Sequence, residues 1–106
     1  MAKYLAMANY TAEGLKGLLK EGGTSRKTVV DRLFTSLGGT VEAFYYAFGD
    51  TDLFVIVDVP DNITAAAASL TVSASGTVTT KIVALLTPEE VDAATKKSPL
   101  FRPAGQ

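Results

Sequence analysis

The fold is decided by residues 40–59, which read TVEAFYYAFGDTDLFVIVDV. Residues 40–48 and 53–59 are rich in β-branched and aromatic side chains, which favour strands. The Gly49–Asp52 segment between them consists largely of residue types that are typical of turns. Pro60 follows directly and cannot donate a backbone hydrogen bond, so it ends the second strand. This stretch therefore predicts two successive strands joined by a turn.

One strand and two helical segments are predicted upstream of this pair. Residues 3–9 form the strand, and Thr11 is a suitable N-cap for a helix over residues 12–20. The glycine pair at residues 22–23 ends that helix, because glycine is the usual residue after a helix. A second helix follows, capped by Thr24 or Ser25, and its apolar residues form one wide stripe.

A helix, a strand and a further short helix are predicted downstream. Asp61 or Asn62 caps the first of these helices, and Gly76 ends it. The strand covers residues 78–86. Residues 87–90, Thr-Pro-Glu-Glu, form a capping box with proline at the first helical position, and the short helix runs from there to residue 97.

The resulting order is β-α-β-β-α-β with an added C-terminal helix. This order is typical of the ferredoxin-like arrangement, in which helices cover one face of a four-stranded antiparallel sheet. We therefore predict an α+β protein with a single domain over residues 1–97, including the last helix, and a C-terminal tail over residues 98–106. The chain length of 106 residues suits one domain.

The predicted strands are apolar on both faces, whereas a sheet with one wet face should alternate apolar and polar residues. The smaller set of side chains on each strand is assigned to the helices. The other face then carries the larger set, which consists of Phe44, Tyr46, Phe48, Phe54 and Ile56. Such a patch exceeds what a soluble monomer usually exposes. We expect a second subunit to cover it, in a dimeric α+β barrel or a higher oligomer with Phe44, Phe48, Phe54 and Ile56 at the interface. The alternative is that the C-terminal helix folds back over this face within its own chain.

Several kinds of chemistry are excluded by composition. The chain has no cysteine and no histidine, so disulfides, thiolate or imidazole metal sites and Ser-His-Asp triads are impossible. The net charge of −1 argues against a nucleic-acid partner. No stretch approaches 18 apolar residues, and the N-terminus lacks a secretory signal. We expect no metal, no cofactor and no membrane partner, and a cytoplasmic location.

Residues 41–60 resemble the GYD domain family, a group of small bacterial and archaeal proteins named for a Gly-x-Tyr-Asp-like turn between two strands. The Tyr10-Thr11-x-Glu13-Gly14 segment, the glycines before residue 40 and the capping box at residues 87–90 also resemble that family. Thr51 stands where the family turn usually has its aromatic residue, while Gly49 and Asp52 keep their places. The resemblance implies a dimeric α+β barrel and implies no particular activity.

Asp58 is the charged residue on the face of Phe54 and Ile56, where a carboxylate is costly unless it is paired. Tyr46, Lys81 and Glu42 are its predicted neighbours, and the four residues together form a candidate ligand site. We expect them to bind a small apolar or aromatic molecule between facing sheets. Two alternatives remain: Asp58 reaches solvent or an ion pair at its strand end, and the protein is a non-catalytic assembly or regulatory module that acts through its oligomer interface.

Overall fold

The computed structural model describes all residues from 1 to 106. Four strands are present: β1 (Ala2–Tyr10), β2 (Thr40–Tyr46), β3 (Leu53–Val59) and β4 (Val78–Leu85). Four helices accompany them: α1 (Ala12–Glu21), α2 (Gly23–Ser36), α3 (Asn62–Ala74) and α4 (Pro88–Thr95). The chain order is the one predicted from the sequence, including two successive helices between β1 and β2.

The strands form one antiparallel sheet in the order β2-β3-β1-β4. β1 lies inside the sheet and pairs with β3 from Ala2↔Val59 to Ala8↔Leu53, and with β4 from Lys3↔Leu85 to Tyr10↔Val78. An α+β fold with a four-stranded antiparallel sheet is therefore confirmed. The division into residues 1–97 and 98–106 stays a prediction.

Local signals account for most helix boundaries. The Thr11 hydroxyl accepts from the Gly14 N–H, and the Asp61 carboxylate accepts from the Thr64 N–H at 2.8 Å. The capping box before α4 is complete. The predicted cap of α2 was wrong, because Gly22 adopts a φ of 85° and leads directly into a helix that starts at Gly23. The two candidate residues, Thr24 and Ser25, lie inside the first turn instead.

One face of the sheet packs against α2 and α3. Along β3 the side chains alternate, and Val57 and Val59 on the helix side are almost completely buried. Ala65 and Ala68 are also buried, because their small side chains let α3 approach the sheet closely. The assignment of the smaller side chains to the helix side is confirmed for β3.

The other face, here called the open face, is covered by no helix of the chain. Register places eight apolar side chains on it, and all of them are half-buried or exposed: Leu5, Met7, Ala43, Tyr45, Phe54, Ile56, Val83 and Leu85. Tyr45 keeps 71% of its surface exposed. The alternative prediction, that the C-terminal helix folds back over this face within its own chain, was wrong. α4 is exposed along its whole length.

The predicted placement of Phe44 and Tyr46 on the open face was wrong. Phe44 pairs with Val55 and Tyr46 with Leu53, both of which face the helices. The cause is a β-bulge at Glu42, which adds one residue to β2 between Val41 and Ala43. One extra residue sends every later side chain of the strand to the opposite face.

Phe48 also lies away from its predicted place, because β2 ends at Tyr46. It has a positive φ of 56°, and its ring stacks on that of Tyr46 with centroids 5.6 Å apart. Phe54 and Ile56 lie on the open face as predicted, and their role at an interface stays a prediction.

The molecule measures 58 × 33 × 22 Å. All residues from Pro88 to Gln106 are exposed. None of the helices has both the length and the apolar character needed to cross a bilayer.

Candidate functional site

A charged cluster lies at one end of the open face. The Lys3 Nζ is 2.6 Å from a Glu42 carboxylate oxygen and 3.1 Å from both carboxylate oxygens of Asp58. The β1–β3 register places Lys3 opposite Asp58, and the bulge in β2 carries Glu42 to the same side. One ammonium group therefore serves two carboxylates from two different strands.

The cluster holds Lys3 in its charged form. Hydrogen bonds to Glu42, and next to Asp58, raise the pKa of Lys3 above its ordinary value of 10.5. The Asp58 side chain is 22% exposed and lies on the same face of β3 as Phe54 and Ile56. A carboxylate in that position needs a cation, and Lys3 supplies it. The ion pair is the alternative explanation given above for Asp58.

The four predicted site residues are not all brought together. Asp58 and Glu42 meet through Lys3. Lys81 lies on the open face but opposite Met7, four residues along β1 from Lys3, which corresponds to about 14 Å. Tyr46 lies on the other side of the sheet, where its hydroxyl donates to the Gly23 carbonyl oxygen at 3.0 Å.

Lys3 was not among the residues predicted for the site, although a signal for it exists in the sequence. Lys3 has the same parity as Leu5 and Met7 along β1, so the alternation of that strand places all three on one face. Its partners could not be named from this pattern, because Asp58 is 55 residues away in the chain.

A polar cleft occupies the other end of the open face. Its volume is about 220 Å³, and its walls come from the ends of β1 and β4 and from the turn after β2. The polar residues along it are Asn9, Asp50, Thr51, Thr79, Thr80 and Lys81. Lys81 takes part in none of the ion pairs of the chain. Its ammonium group is therefore available to a negatively charged molecule.

Asp52 fixes the turn that forms one wall of this cleft. Its carboxylate accepts from the Tyr10 N–H at 2.9 Å, and its own N–H donates to the Asn9 side-chain oxygen at 2.9 Å. The Ala47 N–H donates to its carbonyl oxygen. These bonds hold residues 47–52 against the end of β1. The aspartate at the end of the turn thus has a structural role.

Phe44 and Tyr46, which were predicted to lie on the open face, pack against each other on the helix side. The ring of Phe44 meets that of Tyr46 edge-on, with centroids 5.3 Å apart. Burial, and next the proximity of Tyr46, raises the pKa of Tyr10 to about 12. The Tyr10 phenol therefore stays protonated at neutral pH. No group of three or more carboxylates is close enough to hold a metal ion.

The model of the GYD domain matches residues 4–95 of this sequence. The chain belongs to the GYD domain family. The match runs from β1 to the end of α4 and includes the Gly49–Asp52 turn, but it begins one residue after Lys3. In this GYD domain the turn contains Asp52, which bonds to the end of β1, and Thr51, which lies beside the cleft. No curated protein and no solved structure matches the chain.

Proposed function

We propose that this GYD domain works as a homo-oligomer in which the open faces of two ferredoxin-like chains pack together as a dimeric α+β barrel and enclose a small apolar or aromatic molecule. The observation that carries the proposal is the open face itself. It holds eight apolar side chains on all four strands, and no helix of the chain covers them.

Covering the open face is energetically favourable. Contiguous exposed apolar patches on monomers rarely exceed a few hundred Å². At about 25 cal/mol per Å², removing several hundred Å² on each of two chains from water yields on the order of 10 kcal/mol before the cost of association. Because a two-fold axis would place the same face on both sides, the interface needs no second kind of partner.

The distribution of charge supports a ligand between the sheets. The middle of the open face is apolar, and its two ends carry the Lys3 cluster and the Lys81 cleft. Ligand sites commonly combine apolar walls with a few polar groups that fix orientation. Lys81 is the better anchor, because Lys3 already serves Glu42 and Asp58. An aromatic or aliphatic molecule with one carboxylate fits this pattern.

Light scattering coupled to size-exclusion chromatography tests the assembly. The chain mass is 11.1 kDa, and we expect at least twice that value at micromolar concentration. Tyr45→Glu should return the mass to that of the monomer, because it places a charge on the open face. Leu70→Glu is the matched control, since Leu70 is equally exposed, at 72% against 71%, but lies on α3. A monomeric wild type, or equal effects of both variants, contradicts the proposal.

Native mass spectrometry of the purified oligomer tests the ligand. We expect a co-purified small molecule whose retention falls in Lys81→Met and is unchanged in Lys16→Met, which alters an exposed lysine on α1. An oligomer that carries no bound small molecule, either as purified or after incubation with aromatic carboxylates, contradicts this part of the proposal.

A non-catalytic assembly or regulatory module is the second candidate. It is favoured by the absence of any buried side-chain nitrogen or oxygen without a hydrogen-bond partner. The Lys3 cluster is likewise complete without a ligand. A crystal structure of the oligomer distinguishes the two functions, because an assembly module would show solid packing where a binding protein would show a cavity beside Lys81.

A further inference from the structure

Residues 87–106, here called the arm, stand apart from the body of the protein. Every residue from Pro88 onward is exposed, and three of them are large and apolar: Val91, Leu100 and Phe101. Phe101 keeps 82% of its surface in water. The long dimension of 58 Å against 22 Å for the short one agrees with a segment that extends from the domain.

The arm nevertheless has a defined local structure. The Thr87 hydroxyl accepts from the Glu90 N–H, and the Glu90 carboxylate accepts from the Thr87 N–H. α4 has only eight residues, and isolated helices shorter than about 12–15 residues are marginal in water. A capped helix of this length with exposed apolar side chains needs a neighbour to pack against.

The position of the arm indicates which neighbour. β4 contributes Val83 and Leu85 to the open face, Leu86 is 66% exposed, and the arm begins at the next residue. The arm therefore leaves directly from β4, which is an edge strand of the sheet and of its open face. A partner that covers the open face reaches the start of the arm as well.

We propose that the arm of one chain packs on the body of a second copy and extends the interface formed by the open faces. This inference rests on the homo-oligomer proposed above. α4 spans about 12 Å, and residues 96–101 add up to about 20 Å when extended. Packed sheets lie only about 10 Å apart. Leu100 and Phe101 can therefore reach the second copy while their own sheet faces it.

The dimer dissociation constant tests the contribution of the arm. Sedimentation equilibrium of Leu100→Ser and Phe101→Ser should show dimers that are each at least about tenfold weaker than wild type, since a large buried apolar side chain is worth that factor or more. Ile63→Ser is the matched control, because Ile63 is equally exposed, at 81%, but lies on α3. Both arm residues are so exposed that their replacement should leave the fold intact.

The location of the arm is tested with a spin label. The chain has no cysteine, so Phe101→Cys introduces a single thiol. The variant chain carries the spin label and no ¹⁵N, and it is mixed with ¹⁵N-labelled wild type. Line broadening in the ¹⁵N spectrum then reports only contacts between chains. We expect broadening of amides around the open-face rim of the ¹⁵N chain.

The outcomes separate this inference from the proposed function. A stable dimer with no broadening between chains, or with dissociation constants unchanged in both arm variants, overturns the arm contact and leaves the open-face dimer in place. A monomeric wild type overturns both. Weaker dimers together with broadening between chains support both.

Discussion

Lys3 determines how a carboxylate is accommodated on the open face. Asp58 lies on the same face of β3 as Phe54 and Ile56 with its side chain only 22% exposed, and Lys3 donates to both of its oxygens. The same ammonium group donates to Glu42. Two carboxylates on adjacent strands would otherwise repel each other. The cluster therefore stabilises this end of the sheet.

Replacing Lys3 by Met should lower the free energy of unfolding, because Asp58 and Glu42 lose their shared cation. The pKa of Lys3 is raised in the folded state, so its contribution is fully present below pH 10.5 and is lost as the pH rises through the folded pKa. Urea denaturation should show a constant difference from wild type between about pH 7 and about pH 9 that shrinks at higher pH. Lys16→Met, at a surface ion pair, should show little effect. A loss of stability for Lys3→Met that does not shrink as the pH rises beyond 10.5 would mean that lost packing, and not charge, is responsible.

At the scale of elements, the start of α1 is fixed by an unusually close approach. A Cβ at Gly14 would lie 1.9 Å from the Thr77 carbonyl oxygen, which also accepts from the Thr11 N–H. The helix thus docks directly on the backbone that precedes β4. Gly17, one turn later, has no neighbour within 4 Å of its Cβ position.

These two glycines give a matched pair of substitutions. Gly14→Ala should destabilise the protein by about 1–3 kcal/mol or more, because α1 must move away from Thr77. Gly17→Ala should stabilise it by about 0.5–1 kcal/mol, because alanine is the better helix former and meets no obstacle. Thermal and urea denaturation of both variants measure the effects. Equal changes in the two variants would contradict the close approach.

The N-cap of α3 predicts a dependence on acid. The Asp61 carboxylate accepts from both the N–H and the hydroxyl of Thr64, which lowers the pKa of Asp61 below its ordinary value of 3.8. Its contribution is therefore present above pH 3.8 and is lost as the pH falls through the folded pKa. Asp61→Ala should be less stable than wild type at neutral pH, and the difference should narrow in acid. Asp61→Asn keeps an acceptor oxygen and should lose less stability than Asp61→Ala. A stability difference between wild type and Asp61→Ala that does not change with pH would contradict the role of the Asp61 carboxylate as the N-cap.

At the scale of the whole molecule, the open face and the arm leave two apolar surfaces without cover in one chain. A single interface between copies would bury both. Folding and association are then coupled, because the free energy of the folded state includes the contact with the second copy.

The melting temperature should therefore rise with protein concentration. A tenfold increase adds about 1.4 kcal/mol to the stability of a dimer, which corresponds to a rise of about 3–5 °C for a pair of chains of this size. Tyr45→Glu should melt at a lower temperature that is independent of concentration. Differential scanning calorimetry over a hundredfold range measures both. A wild type whose melting temperature is constant over that range would contradict association at the open face.

The sequence alone determined the elements and most of their ends, because these depend on neighbouring residues. The alternation in β3, the Thr11 and Asp61 caps and the capping box at Thr87 are all local patterns, and each predicted its element. An open apolar face also followed from alternation. Which residues occupy it did not follow, because the bulge at Glu42 is a property of pairing between strands.

Which residues lie on each face of the sheet, and which form the charged cluster, depends on tertiary structure. The bulge moved Phe44 and Tyr46 to the helices and left Tyr45 on the open face. The pairing of β1 with β3 brings Lys3 next to Asp58, which is 55 residues away in the chain. The pairing of β1 with β4 places Lys81 opposite Met7, four residues along β1 from Lys3. The physical reason is that a strand alternates with a period of two residues, so a single inserted residue reverses every assignment after it. Local sequence specifies that alternation, and the hydrogen-bonded partner strand specifies where it shifts.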